Sequence, residues 1–100
     1  MATNVMHYDP TDSAAVAMRS EVRDVLLHIA RAHASLGDCA QIEIDLFNDA
    51  FNHLFRRAQL DPEVAALAFM ELVFAADRGA VRLAAMHGCS VETALRQVIP

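Results

Sequence analysis

Two rows of acidic residues and imidazoles have types and spacings that could do chemistry. Glu21, Asp24 and His28 follow one another at intervals of three and four, so a helix would line them along one flank. Two carboxylates and an imidazole in such a row can supply ligands to a divalent ion. The simpler reading of the same row is a solvated helix edge carrying a carboxylate–imidazole pair. Asp45, Asp49 and His53 form a second row at i, i+4 and i+8, and patterning puts most of it on the polar back of its helix. Neither HExxH nor the ExxH of di-iron bundles occurs. Glu71 is a different kind of candidate, a lone charge inside an apolar segment. Buried carboxylates are rare unless paired, so Glu71 is expected to be a buried charge with a partner. Arg78 lies seven residues on along the same stripe and is the one cation of its own helix within approach. A partner from another helix or another subunit is the favoured answer, with Glu71 fixing register and not catalysing. Cys39 falls in the first turn of a helix, where the dipole lowers a thiol pKa, but no His or Asn can be assigned to it. It reads as a small buried apolar residue, and Cys89 as part of the apolar contact at a helix stop. No complete catalytic motif is present.

The segment Glu21-Val-Arg-Asp24-Val-Leu-Leu-His28 resembles the ExxD motif of all-helical nucleotide pyrophosphohydrolases of the MazG and phosphoribosyl-ATP pyrophosphohydrolase type. Glu71-Leu-Val-Phe-Ala-Ala-Asp77-Arg-Gly79 is faintly similar to the helix bearing their other acidic motif. The resemblance implies Mg²⁺ held by Glu21, Asp24 and His28 against a triphosphate. It covers about twenty residues by the extent of the two segments. The paired glutamates of the family's EExxE have no counterpart, since Met70 precedes Glu71 and Phe74 follows it by three, and the two segments occur in reversed order.

Composition narrows the classes. Of 100 residues, 55% are apolar, more than a globular chain of this size readily buries. The surplus points to a partner, and another copy is the simplest one. Ala is abundant while Gly and Pro number three each, so helix is favoured nearly throughout. The net charge of −5, with every basic residue an Arg, argues against a general nucleic-acid binder and against an anionic membrane surface. The N-terminus MATNVMHYDP has neither the basic flank nor the apolar core of a signal peptide. The apolar run from Val64 to Met70 is too short to span a bilayer. With two cysteines and no CxxC, a cytoplasmic protein with free thiols is the expectation.

The elements that must position these residues are punctuated by Asp9-Pro10, Gly37-Asp38, Asp61-Pro62 and Gly88-Cys89-Ser90. A first helix is predicted from 10–13 to Leu36. Its positions Ala15, Met18, Val22, Val25, Ile29, Ala32 and Leu36 keep a strict heptad spacing, and Arg19, Arg23 and Arg31 keep mainly to other faces. The second, from Cys39 to Gln59, carries an aromatic seam with Phe47, Phe51 and Phe55. The third starts at Pro62, is apolar nearly all round to Ala76, and continues through Gly79 to His87. A short fourth runs from Val91 to Val98, and residues 1–9 form a flexible or extended arm.

The predicted fold is therefore all-α, a bundle of three long helices and a short C-terminal one spanning residues 10–100, and dimeric. Met18, Val22, Val25, Ile29, Phe69 and Phe74 are the predicted interface. The predicted function is a protein-interaction or regulatory module acting as a homo-oligomer, with no cofactor and no enzymatic activity. The alternatives are the metal-dependent pyrophosphohydrolase, which alone would require Mg²⁺, and a DNA-binding regulator.

Overall fold

The computed structural model describes residues 8–100, so residues 1–7 of the predicted arm lie outside the described part. Four helices follow in order: α1 Ser13–Ala34, α2 Asp38–Leu60, α3 Pro62–His87 and α4 Val91–Val98. No strand occurs among the described residues. One residue, Asp61, ends α2 and caps α3, its carboxylate accepting from the Glu63 N–H at 2.9 Å while Pro62 takes the first helical position. Gly88 stops α3 in the left-handed region at φ 63°, and the Cys89 N–H reaches back to the Ala84 carbonyl at 3.1 Å. Ser90 then caps α4 by accepting from the Thr93 N–H at 3.1 Å. Helix α3 runs unbroken through Gly79.

Two boundaries differ from the sequence reading. Asp9 does not cap α1. Its carboxylate takes the Thr11 N–H and hydroxyl at 2.9 and 2.7 Å, and residues 9–12 curl into a turn before the helix starts at Ser13. Gly37 does not stop α1, which ends at Ala34 with the Ser35 hydroxyl donating to the Arg31 carbonyl at 2.7 Å. Gly37 is instead the residue that opens α2, at φ 59° and ψ −133°, a conformation that a side chain would strain.

The central core forms where α1, α2 and α3 meet. Met18 and Val22 of α1, Leu54 of α2 and Ala68 of α3 are buried together, with Val64 and Leu67 beside them. Val25 is buried too and Ile29 half-buried. From Ala15 to Val25 the heptad seam of α1 is therefore covered by this chain's own helices, so Met18, Val22 and Val25 do not present an interface to another copy, whereas Leu36 at the end of the seam is exposed. Periodicity marks a face as needing cover without saying which helix supplies it.

Helix α3 is two-faced. Its first half turns Val64, Ala68 and Glu71 toward α1 and α2; its second half buries Ala80 and Ala84, half a turn round the helix, against α4. Helix α4 packs on α3 alone, with Ala94 fully buried. The ridge Phe69, Val73, Ala80 and Ala84, at spacings of four, seven and four, is thus covered at its alanine end only. Phe69 is 70% exposed and Val73 about half exposed.

The result is extended for its length. The radius of gyration is 16.0 Å, against about 13 Å expected for a 100-residue domain. The accessible surface is 7532 Å², whereas a folded monomer of 10.9 kDa exposes about 5,600 Å².

Candidate functional site

Glu71 follows the core register of α3, seven residues after Val64 and three after Ala68, and its side chain is 1% exposed. Arg19 follows the core residue Met18 on α1, at the edge of that helix's buried face. Where the two helices meet, the Arg19 Nε donates to Glu71 Oε1 at 2.8 Å and Nη2 donates to Oε2 at 3.2 Å. The same Nη2 donates to the Pro10 carbonyl at 2.9 Å, which ties the N-terminal turn to the pair. The Tyr8 hydroxyl donates to Glu71 Oε2, and the Tyr8 ring stacks on Phe74 with centroids 5.5 Å apart. Both carboxylate oxygens are occupied, and no buried side-chain polar atom among the described residues lacks a partner.

The electrostatics follow from that geometry. The hydrogen bonds from Arg19 hold the Glu71 carboxyl below its ordinary value of 4.5, against the opposing effect of burial, with further help from Tyr8 and the field of Arg78. The bond to Glu71 raises the Tyr8 phenol above its usual 10.0, because ionising it would set two anions side by side. A carboxylate held ionised and fully hydrogen-bonded is the reverse of a general acid or base poised near neutrality. The cluster is a buried fastening for α1, α3 and the N-terminal turn.

Sequence reading looks for the partner of Glu71 on another helix or another subunit and gives Arg78 as the one neighbour on its own helix. The partners come from α1 and from the residues before it. Arg19, expected to keep mainly to another face than the seam, stands at the seam's edge and directs its guanidinium to α3 while remaining 38% exposed. Tyr8 goes unnoticed in the sequence because a residue beyond the first helix carries no periodic signal. The one available hint for Arg19 is its place beside a heptad position.

The predicted metal row is divided among three partners. Glu21 takes Arg57 of α2, His28 Nδ1 lies 3.1 Å from Glu43 Oε2 of α2, and Asp24 is exposed with only Arg23 at 3.5 Å. Among the described residues no three His, Cys, Asp or Glu side chains are grouped to hold a metal ion. Asp45, Asp49 and His53 are all exposed, and Asp45 accepts from Gln41 at 2.9 Å. Cys39 is exposed and not buried as expected, because it stands on the solvent side of the first turn of α2, and Cys89 is partly buried; both are free thiols. No helix among the described residues is long and apolar enough to cross a membrane.

The other candidate is apolar. Phe47, Phe51 and Phe55 stack along α2 with centroids 5.8 and 6.0 Å apart, and the latter two are about half exposed. On α3, Phe69, Leu72, Val73 and Phe74 are exposed, Phe74 the least of the four and with Tyr8 stacked on it. Comparison of the chain with protein-family models, curated proteins and solved structures gave no match. Chemistry and geometry alone carry the functional reading.

Proposed function

We propose that this chain is a non-catalytic helical interaction module that works as a homodimer through the outer face of α3. The observation that carries the reading is the half-covered ridge of that helix. Helix α4 masks Ala80 and Ala84, while Phe69 and Val73 continue the same ridge into solvent. An exposed apolar patch of this kind on a helix is a docking surface, since an isolated exposed residue needs no explanation but a ridge does. The Glu21, Asp24 and His28 row lends less support to a metal site, since Glu21 pairs with Arg57, His28 with Glu43 and Asp24 lies near Arg23.

Light scattering coupled to size exclusion tests the proposal. The expected mass is twice the 10.9 kDa of the chain, and Phe69→Glu is expected to return the single-chain mass with unchanged helicity. A wild-type protein that elutes at the single-chain mass at micromolar concentration overturns the reading.

A further inference from the structure

Past the point where Arg19 meets Glu71, a groove of about 410 Å³ opens between α1 and α3. Its apolar lining includes Val22, Leu26 and Ala30 from α1 and Ala75 from α3. Three of the chain's arginines, Arg19, Arg23 and Arg78, line it as well, and the one acid that does so is Glu71. That carboxylate is already saturated by Arg19 and Tyr8, so neither it nor Arg19 is free to take a ligand. The charge left for the groove is positive: Arg23 on the α1 wall and Arg78 on the α3 wall, in a chain whose net charge is −5. Arg78 is exposed and has no ion pair among the described residues. Arg23 makes only exposed local contacts, to Ser20 at 2.9 Å and Asp24 at 3.5 Å, which a better acceptor can displace.

An apolar lining between cationic walls selects for a molecule with one anionic head and an aliphatic body. Guanidinium groups bind carboxylates with two parallel hydrogen bonds, which suits a head group at Arg78. The volume lies within the range of small-molecule sites and is far below a furrow that would seat a whole helix. We propose that the α1–α3 groove binds a small amphiphilic carboxylate, its tail on Leu26, Ala30 and Ala75 and its head on Arg78 and Arg23. This is a site separate from the Phe69 ridge, so either can fail without the other.

Octanoate is the probe, with acetate and octylammonium as controls for the head and the tail, titrated into the full chain by heteronuclear NMR and calorimetry. Expected are saturable shifts at the Ala30 and Ala75 amides and at Arg78 Nε with octanoate alone. Arg78→Gln, an exposed change that leaves the core intact, is expected to weaken binding about 10-fold, the loss of one charge-assisted contact. Ala75→Leu, which fills the groove, is expected to abolish it, with a circular dichroism melt confirming the fold. Octylammonium binding as tightly as octanoate, or an Arg78→Gln affinity within about two-fold of wild type, overturns the proposal. So does absence of octanoate binding together with a change of oligomer mass in Ala75→Leu, which would assign the groove to a second copy. A dimer that persists in light scattering while octanoate fails to bind overturns the groove alone.

Discussion

Replacing Glu71 by Gln interrogates the buried cluster with little change of volume. The carboxylate accepts two N–H bonds from Arg19, at 2.8 and 3.2 Å, and the Tyr8 hydroxyl besides. An amide offers one acceptor oxygen where the carboxylate offers two, so its NH₂ must turn toward either the guanidinium or the phenol. Hydrogen bonds to a charged group contribute about 1.5–3 kcal/mol, and neutral ones about 1 kcal/mol. The Arg19 side chain is 38% exposed, so solvent screens part of its attraction and the loss falls toward the lower end. We expect Glu71→Gln to destabilise the fold by about 2 kcal/mol. For a chain of this length that lowers the melting temperature by about 8–16 °C.

The pH dependence provides an independent reading. Arg19 chiefly, and Tyr8 and Arg78 with it, hold the Glu71 carboxyl below 4.5 in the folded protein. Between the folded and unfolded values the unfolded chain binds more protons, so acidification favours unfolding. The stabilisation from this group is complete above its unfolded value and is lost as pH falls through the folded one. The gap between wild type and Glu71→Gln is therefore widest above about pH 5 and closes in acid. Urea unfolding of both proteins at a series of pH values measures that gap, and pairing the variant with Arg19→Gln in a double-mutant cycle isolates the coupling. A melting temperature within about 2 °C of wild type, or a gap that stays constant into acid, would refute the assignment of Glu71 as an ionised fastening.

Backbone requirements give an opposed pair. Gly79→Ala is expected to raise stability by about 1 kcal/mol, because the added methyl meets nothing within 4 Å and Ala is the better helix former. Gly37→Ala is expected to lower it by about 1–3 kcal/mol, because φ 59° with ψ −133° strains any side-chain-bearing residue; equal effects of the two in urea unfolding would contradict the assigned geometry. Mg²⁺ is expected to leave the melting temperature unchanged, since Glu21, Asp24 and His28 are turned to separate neighbours. An increase with Mg²⁺ that Glu21→Ala removes would restore the metal reading. If Phe69 seats a second copy, the wild-type melting temperature rises with protein concentration and that of Phe69→Glu does not.

Where a helix begins or ends is legible when the boundary rests on backbone chemistry that one residue type satisfies. Pro62 cannot sit inside a helix but suits its first position, and Gly88 accepts a left-handed conformation that closes α3. It is less legible where several residues can do the same work. Asp9-Pro10 has the same composition as Asp61-Pro62, yet α1 starts only at Ser13, and the Pro10 carbonyl is held by Arg19. The seam of α1 shows the complementary limit. A heptad pattern fixes which side must be covered, yet Met18 and Val22 are covered by Leu54 and Ala68 of the same chain. Surplus apolar surface, inferred from composition, is spread over the helices instead, with Phe69 and Val73 on α3 and Phe51 and Phe55 on α2 among it.

The buried charge shows what a closer reading of the sequence can recover. A carboxylate in the core register of α3 requires a cation, and of eight arginines the useful ones must reach a core without occupying a core position. That restricts the choice to arginines at the edge of a seam, and adjacency alone leaves several, since Arg19 follows Met18, Arg23 follows Val22 and Arg31 precedes Ala32. Arg19 reaches an acid on another helix, Glu71, whereas Arg23 meets only Ser20 and Asp24 of its own. The long stem of an arginine runs along the apolar face while its head reaches past it, so the edge of a seam is where such a partner must stand. Arg78 lies on the core stripe of α3 but beyond the point where α1 covers it, and that position leaves its charge facing the groove.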